Sequence, residues 1–215
     1  MTPPSAPPPP TPTRGPVPTR RPVVAGLLLA AGGGRRLGGL PKALLRHRGR
    51  PLAEHAVQAL REGGCDPVHV VLGAAAEQVR AEAELDGCTV VANPRWREGM
   101  GSSLRAGLAS LAGTGADAAL VCLVDQPGVG AAAVARVRSA YGSRDTLAAA
   151  AYAGERGHPV LLGAHRWRGL AAGAEGDRGA RRYLAAHRAS LVLVECGDIA
   201  EPYDIDTADD LDRLE

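Results

Sequence analysis

The sequence predicts an α/β three-layer sandwich: an open, mostly parallel sheet with helices on both faces and a β-hairpin inserted late in the chain. Three observations carry this reading. From residue 23 onward, short apolar runs alternate with segments of helical spacing, the texture of strands joined by crossover helices. The first apolar run empties into a glycine-rich loop, at the carboxyl end of a strand, where open α/β sheets bind ligands. With 215 residues, 45% of them hydrophobic, the chain supplies one substantial core. That core is built from Ala, Val and Leu, because aromatics are 3% of the chain and Phe is absent.

In chain order, Val23–Leu29 reads as a buried strand ending at the glycine loop, and Pro51–Gly63 as a helix with Leu52, His55, Ala56 and Ala59 on one face. Val68–Leu72 is a second strand, followed by a helix over Ala74–Leu85. Thr89–Ala92 is a third strand, and Ser102–Leu111 a helix opening on glycine and serine. Ala118–Val124 is a strand that stops at Asp125, with a helix over Ala131–Tyr141. After Thr146 the pattern changes. Ala148–Tyr152, a Gly154–Gly157 turn and Pro159–Leu162 read as a hairpin. Helical pieces follow at Ala164–Leu170 and Arg178–Arg188, then a strand at Leu191–Glu195 and a last helix from Thr207.

Residues 1–22 stand apart. They hold ten of the 17 prolines, and proline fixes φ and removes a backbone donor, so this stretch reads as an extended tail outside a domain spanning residues 23–215. A solvated tail and a ligand for a proline-reading domain are its two readings. The tail carries Arg14, Arg20 and Arg21 and no acid, so the formal charge of +2 becomes −1 over residues 23–215. That balance argues against a nucleic-acid surface or a polybasic membrane surface on the domain. The chain has no apolar run of membrane-spanning length and no signal-peptide pattern, and a cytoplasmic protein is expected. Cys65, Cys88, Cys122 and Cys196 show no CxxC spacing and fall in or beside expected core strands, which gives neither a zinc knuckle nor a disulfide framework.

The loop Gly32-Gly33-Gly34-Arg35-Arg36-Leu37-Gly38 lets backbone N–H groups approach phosphates. It is not a dinucleotide fingerprint, since the third glycine position is Leu37. Nor is it a P-loop, since Lys42 lies between Pro41 and Ala43. A plain flexible turn is the competing reading, but Arg36 and Lys42 are two cations able to share an anion with it. Lys42 is also the only lysine among 25 basic residues, a compact charge kept beside the loop.

The stretch Leu29-Ala30-Ala31-Gly32-x-Gly34-x-Arg36-Leu37-Gly38, followed by Pro41-Lys42, resembles the signature of the MobA-like NTP-transferase family. More narrowly it resembles the molybdenum cofactor cytidylyltransferases. The likeness continues through Asn93-Pro94-x-Trp96-x-x-Gly99-Met100-Gly101-Ser102-Ser103-Leu104, Asp125-Gln126-Pro127 and Gly157-His158-Pro159-Val160. It closes with Gly176-Asp177-x-Gly179-Ala180-Arg181 and Asp204-Ile205-Asp206-Thr207. Two departures stand out: Gly39 and Leu40 together separate Gly38 from Pro41, where one residue is the more usual spacing, and Leu37 replaces a common Met. The resemblance implies a Rossmann-like sheet of the nucleotide-diphospho-sugar transferase type. It also implies a Mg²⁺-dependent reaction in which an NTP and a phosphomonoester give a nucleotide-linked product and pyrophosphate. A phosphomonoester, with its second pKa near ~6, is its own nucleophile, so no general base is required.

The resemblance places Leu29, Ala30, Ala31, Gly32, Gly34, Arg36 and Lys42 at the triphosphate, with Arg36, Lys42 and Asp125 as the catalytic group. Gly101, Ser102 and Ser103 open a helix whose free N–H groups favour an anion or a polar base edge, although a serine there also serves as a plain N-cap. Asp125, at a strand tip, reads as a ligand for a hard cation or as a turn-former before Pro127. Asp204 and Asp206 share a face of an extended segment, and one of them is to complete the metal site. Asp206 and Thr207 have the alternative of capping the last helix, with Asp210 in the box position. Trp96 reads as an anchor packing the loop in preference to a base-stacking ring, and Asn93 as turn chemistry. His158, Asp177 and Arg181 belong to the acceptor side. Arg181 is to meet the acceptor phosphate or Asp177, and His158 either touches the acceptor or is structural. The remaining histidines have no ligand spacing.

The expected substrates are CTP, from the Ala30-Ala31-Gly32 sequence, and molybdopterin, with a molybdoenzyme or its chaperone as a further partner. The rival readings are transfer to a sugar phosphate or phospholactate, and a non-catalytic nucleotide-binding accessory protein.

Overall fold

The computed structural model describes residues 20–214. In chain order the elements are β1 (Val24–Ala30), a short ribbon of β2 (Arg46–His47) and β3 (Arg50–Pro51), α1 (Leu52–Glu62), β4 (Val68–Leu72), α2 (Ala76–Glu82) and β5 (Thr89–Ala92). There follow α3 (Met100–Ser110), β6 (Ala118–Leu123), α4 (Ala131–Ser139), β7 (Leu147–Tyr152), β8 (Glu155–Gly163), α5 (Trp167–Gly173), α6 (Arg181–Ala186) and β9 (Leu191–Glu195).

The main sheet has seven strands in the order β5-β4-β1-β6-β8-β7-β9. β8 runs antiparallel to both its neighbours and every other pairing is parallel. The hairpin β7–β8 is therefore part of the main sheet, with β8 hydrogen-bonded to β6 and β7 to β9. All seven residues of β1 and all five of β4 are buried, as a central parallel strand is covered on both faces; β1 is apolar throughout, and in β4 only His69 interrupts the run, its Nδ1 2.8 Å from Ser110 Oγ.

Side-chain alternation along β1 divides the core in two. Leu28, Val70, Leu120 and Cys122 face the layer of α1, α2 and α4, where Leu52, Val57, Leu60, Val79, Val134 and Val137 pack. Leu27, Leu29, Val71 and Val121 face α3, α5 and α6 through Leu104, Leu108, Leu170 and Leu184. Each fully buried leucine contributes about 1.5–3 kcal/mol relative to exposure. The mostly parallel sheet and the three layers are those expected from the sequence.

The differences lie toward the C-terminus. The turn of the hairpin falls on Ala153 and Gly154, both at positive φ, and β8 already starts at Glu155. The helix expected over Arg178–Arg188 is reduced to the six residues of α6, because Gly176 and Gly179 adopt positive φ and break the run before Arg181. The last helix is a 3₁₀ segment, Ala208–Leu214. Most of the proline-rich tail lies outside the described residues. Its end does not: Arg20 Nη2 sits 2.9 Å from Asp117 Oδ1, Arg144 Nη1 lies 2.8 Å from the same oxygen, and Val23 N–H donates to Asp117 Oδ2 at 2.9 Å. Burial alone would raise the Asp117 pKa, but these donors outweigh it and hold the carboxyl below its ordinary value.

Candidate active site

β1 and β6 are adjacent and parallel, with Leu29 opposite Leu123, so the loops leaving their carboxyl ends emerge side by side. One is the glycine loop and the other begins at Asp125. The glycine loop folds back on itself around Gly34, whose carbonyl accepts from the N–H groups of Leu37 and Gly39. Gly34 has φ +56°, and a Cβ there would lie 1.9 Å from Leu40 O, so only glycine fits this turn. Trp96 packs its ring against Gly33 and Gly73, anchoring the loop as expected, with the Arg97 guanidinium 4.5 Å from the ring centroid.

A third segment arrives from the C-terminus. Ile205 is fully buried and donates its N–H to Asp125 O at 2.9 Å, while Glu201 N–H bonds to Gly128 O. This pairing sets Asp206 beside Asp125. Asp206 is not the cap of the final segment, because Asp210 accepts from the N–H groups of Asp206 and Thr207 and from the Thr207 hydroxyl. Its carboxylate is left to meet Lys42.

Lys42 Nζ donates to Asp125 Oδ2 at 2.7 Å and also to Asp206 Oδ1, and Arg36 Nη1 lies 3.5 Å from Asp206 Oδ2. Burial pulls the Lys42 pKa down, but the charges and hydrogen bonds of Asp125 and Asp206 more than offset it, so the ammonium is held protonated. Asp204 is turned aside and accepts from Gln126 Nε2 at 2.8 Å. Desolvation raises its pKa, the Gln126 amide opposes this, and the nearby Asp125 and Asp206 raise it further.

Two cavities meet at this cluster. The first, about 430 Å³, is lined by Leu29, Ala31, Gly32, Gly34, Arg36, Lys42 and Ser103, together with Trp96 and Met100. The second, about 560 Å³, has an apolar wall of Leu104, Val121, Val160, Leu162 and Leu184 facing Arg156, His158, Arg181, Gln126 and Asp204. Asp125, Asp177 and Asp206 border both.

Three residues expected at the nucleotide are turned into packing instead. Ala30 is buried within β1. Gly101 presses on the backbone of Ala174 and Glu175, where a Cβ would meet atoms at 2.8 Å. Ser102 is buried, its hydroxyl 2.9 Å from the carbonyls of Arg95 and Gly99 while it accepts from Asn93 Nδ2 at 2.8 Å. Asn93 is thus more than a turn residue: it also bonds Ser103 Oγ at 3.1 Å, tying the start of α3 to the loop after β5.

On the second cavity, no ion pair joins Arg181 to Asp177 among the described residues. Burial, then the charges of Arg156 and Arg181, push the His158 pKa down to about 4, so the imidazole is neutral at physiological pH. Burial, then Arg181, lowers the pKa of Arg156, a lining residue the sequence reading missed. Its position two residues before His158 on one strand is the signal, since i and i+2 share a face. Gln126, also missed, lay inside the Asp125-Gln126-Pro127 motif, and its Oε1 is buried without a hydrogen-bond partner.

The MobA-like NTP transferase domain matches residues 26–191, a span that takes in the glycine loop, Lys42 and Asp125. The chain belongs to this family. Relatives within reach of this MobA-like protein carry different names. Nicotine blue oxidoreductase of Paenarthrobacter nicotinovorans is 40% identical over 198 residues, 89% of this chain and 96% of the relative. A probable molybdenum cofactor guanylyltransferase of Opitutus terrae is 38% identical over 110 residues, 51% of each chain. The structure of Rv0371c from Mycobacterium tuberculosis H37Rv in complex with manganese is similar to this MobA-like chain with a TM-score of 0.71 and 30% identity, covering 89% of this chain and 97% of that one. No helix among the described residues is long and apolar enough to cross a membrane.

Proposed function

We propose that this MobA-like protein is a divalent-metal-dependent nucleotidyltransferase of the cytoplasm that moves CMP from CTP onto the phosphate of molybdopterin and releases pyrophosphate. The observation that carries the reading is the meeting of two cavities at Asp125 and Asp206, one floored by the glycine loop and the other walled by leucine, valine and three arginines. A triphosphate in the first cavity has its charge met by Arg36, Lys42 and loop N–H groups. An acceptor with a flat ring and a phosphate suits the second, where Arg156 and Arg181 offer cations and Gln126 Oε1 a free acceptor.

The donor set fits a hard divalent cation. Asp125 and Asp206 point oxygens at one spot, and no cluster of three or more metal-ligating side chains occurs among the described residues. Two carboxylates completed by substrate phosphates is a common way to hold Mg²⁺. When bound there, the metal supplies charge neutralisation on the transferring phosphate. Asp204, turned to Gln126, is assigned to the acceptor side instead. The chain's own residues do the rest: Arg36 and Lys42 hold the triphosphate, and the apolar wall orients the acceptor ring. The test is a panel of CTP, GTP, ATP and UTP with Mg²⁺ or Mn²⁺ and purified molybdopterin, following pyrophosphate and the nucleotide-linked product. Product with CTP alone is expected; product with GTP alone moves the base assignment, and none with molybdopterin moves the acceptor to another phosphorylated compound.

The 40% identity to nicotine blue oxidoreductase favours a second reading, reduction of an aromatic heterocycle held against the same apolar wall. Loss of nicotine blue colour with a reduced nicotinamide, without pyrophosphate release in the panel, selects it.

A further inference from the structure

The position between Asp125 and Asp206 is already filled by a cation. The Lys42 side chain is 13% exposed, and its ammonium bonds one oxygen of each carboxylate. Arg36 approaches the second oxygen of Asp206. Two negative charges therefore face two positive ones. A divalent ion seated between the same two oxygens needs the spot that the ammonium fills, and at that range the two like charges repel.

Building on the metal assignment above, we propose that Lys42 is a stand-in cation: its ammonium lies between Asp125 and Asp206, where a divalent ion would be held, and must leave for that ion to enter. The way out is short. Lys42 begins a 3₁₀ turn after Pro41, and its flexible four-carbon stem lets the ammonium move without the backbone. Its alternative partner lies in the same cavity, where the glycine loop receives the triphosphate. The nucleotide thus does two things at once: it draws the ammonium off the carboxylates and brings oxygens that complete the metal shell. Metal alone must compete with the ammonium for the position, whereas metal with nucleotide meets one that the ammonium has left. This ties occupancy of the metal position to arrival of the triphosphate, which limits idle metal binding by the free protein.

The lone lysine makes the test specific. Mn²⁺ binding to the full chain is measured without nucleotide by titration calorimetry, for the parent, Lys42→Met and Lys42→Gln, each checked by thermal melting. Both variants are expected to bind Mn²⁺ about ten-fold more tightly than the parent, since a charge-assisted competitor has gone. Affinity equal to or weaker than the parent in both folded variants overturns the proposal. In the parent, the rate at which an amine-acylating reagent modifies Lys42 is then followed with Mg²⁺ raised to saturation. A rise of several-fold is expected as the ammonium leaves its two carboxylates, and an unchanged or falling rate overturns the proposal. Neither measurement uses turnover, so a nucleotide panel that yields no pyrophosphate removes the transfer reaction and leaves these outcomes to decide the role of Lys42 alone.

Discussion

Single residues decide where this molecule stores its charge, and Asp117 is the clearest case away from the site. It is 6% exposed, yet carries a full charge because Val23 N–H, Arg144 and Arg20 surround it. Its pKa is depressed in the folded state, so the stability it adds is present above the unfolded value and is lost as pH falls through the folded one. Thermal melts of the parent should therefore lose stability in the acid range below about pH 4, the ordinary carboxylate region. Asp117→Asn should be less stable at neutral pH by about 1.5–3 kcal/mol and should show a flatter acid limb. An acid limb identical to the parent's would remove Asp117 from the account. None of this was legible in the sequence, where Asp117 is an ordinary acid before an apolar run and its partners are 27 and 97 residues distant. The same holds for the site: Lys42 was noticed because it is the only lysine, but its bonds span 83 and 164 positions.

At the scale of elements, the strands were the most readable part. Val68–Leu72, Thr89–Ala92 and Leu191–Glu195 begin and end where the sequence pattern places them, the first as a buried central strand and the other two as the half-exposed edges of the sheet. Helices near glycine were less readable. Gly176 and Gly179 look from the sequence like the approach to a helix, yet their positive φ ends regular structure before α6. The strand order was not readable either, since nothing local tells β8 to reverse between β6 and β7. The glycine loop was legible in place but not in shape. Gly34→Ala should strain the backbone and drive a methyl into Leu40 O, costing roughly 1–3 kcal/mol and forcing the loop open. Nucleotide affinity should fall with it. Gly32→Ala meets no atom within 4 Å, and its stability should stay within about 0.5 kcal/mol of the parent. Equal destabilisation by the two would show that Gly34 is not the pivot of the turn.

At the scale of the whole molecule, the fold is a seven-stranded sheet with a core on each face, and Arg20 and Val23 at the start of the described residues are bonded to Asp117. We expect a chain beginning at Arg20 to keep the melting temperature and activity of the full chain. Removing Arg20 as well should cost no more than about 0–1 kcal/mol, because its guanidinium is 59% exposed and Asp117 keeps Arg144 and Val23. A loss of many degrees on removing residues 1–19 would show that the tail docks elsewhere on the domain.

The scarcity of aromatic residues has an optical consequence. The entire chain has two indoles, and they sit in different surroundings. Trp167 is fastened to β8 through its Nε1–H to Leu162 O and borders neither large cavity, whereas Trp96 lines the first cavity under the Arg97 guanidinium. One of the two tryptophan emitters therefore lies at the first cavity. Adding a nucleotide should quench or shift that emission without any attached dye. Trp167→Phe should keep the response on a darker background, and Trp96→Phe should abolish it, which makes the unmodified protein a spectroscopic reporter of its own occupancy.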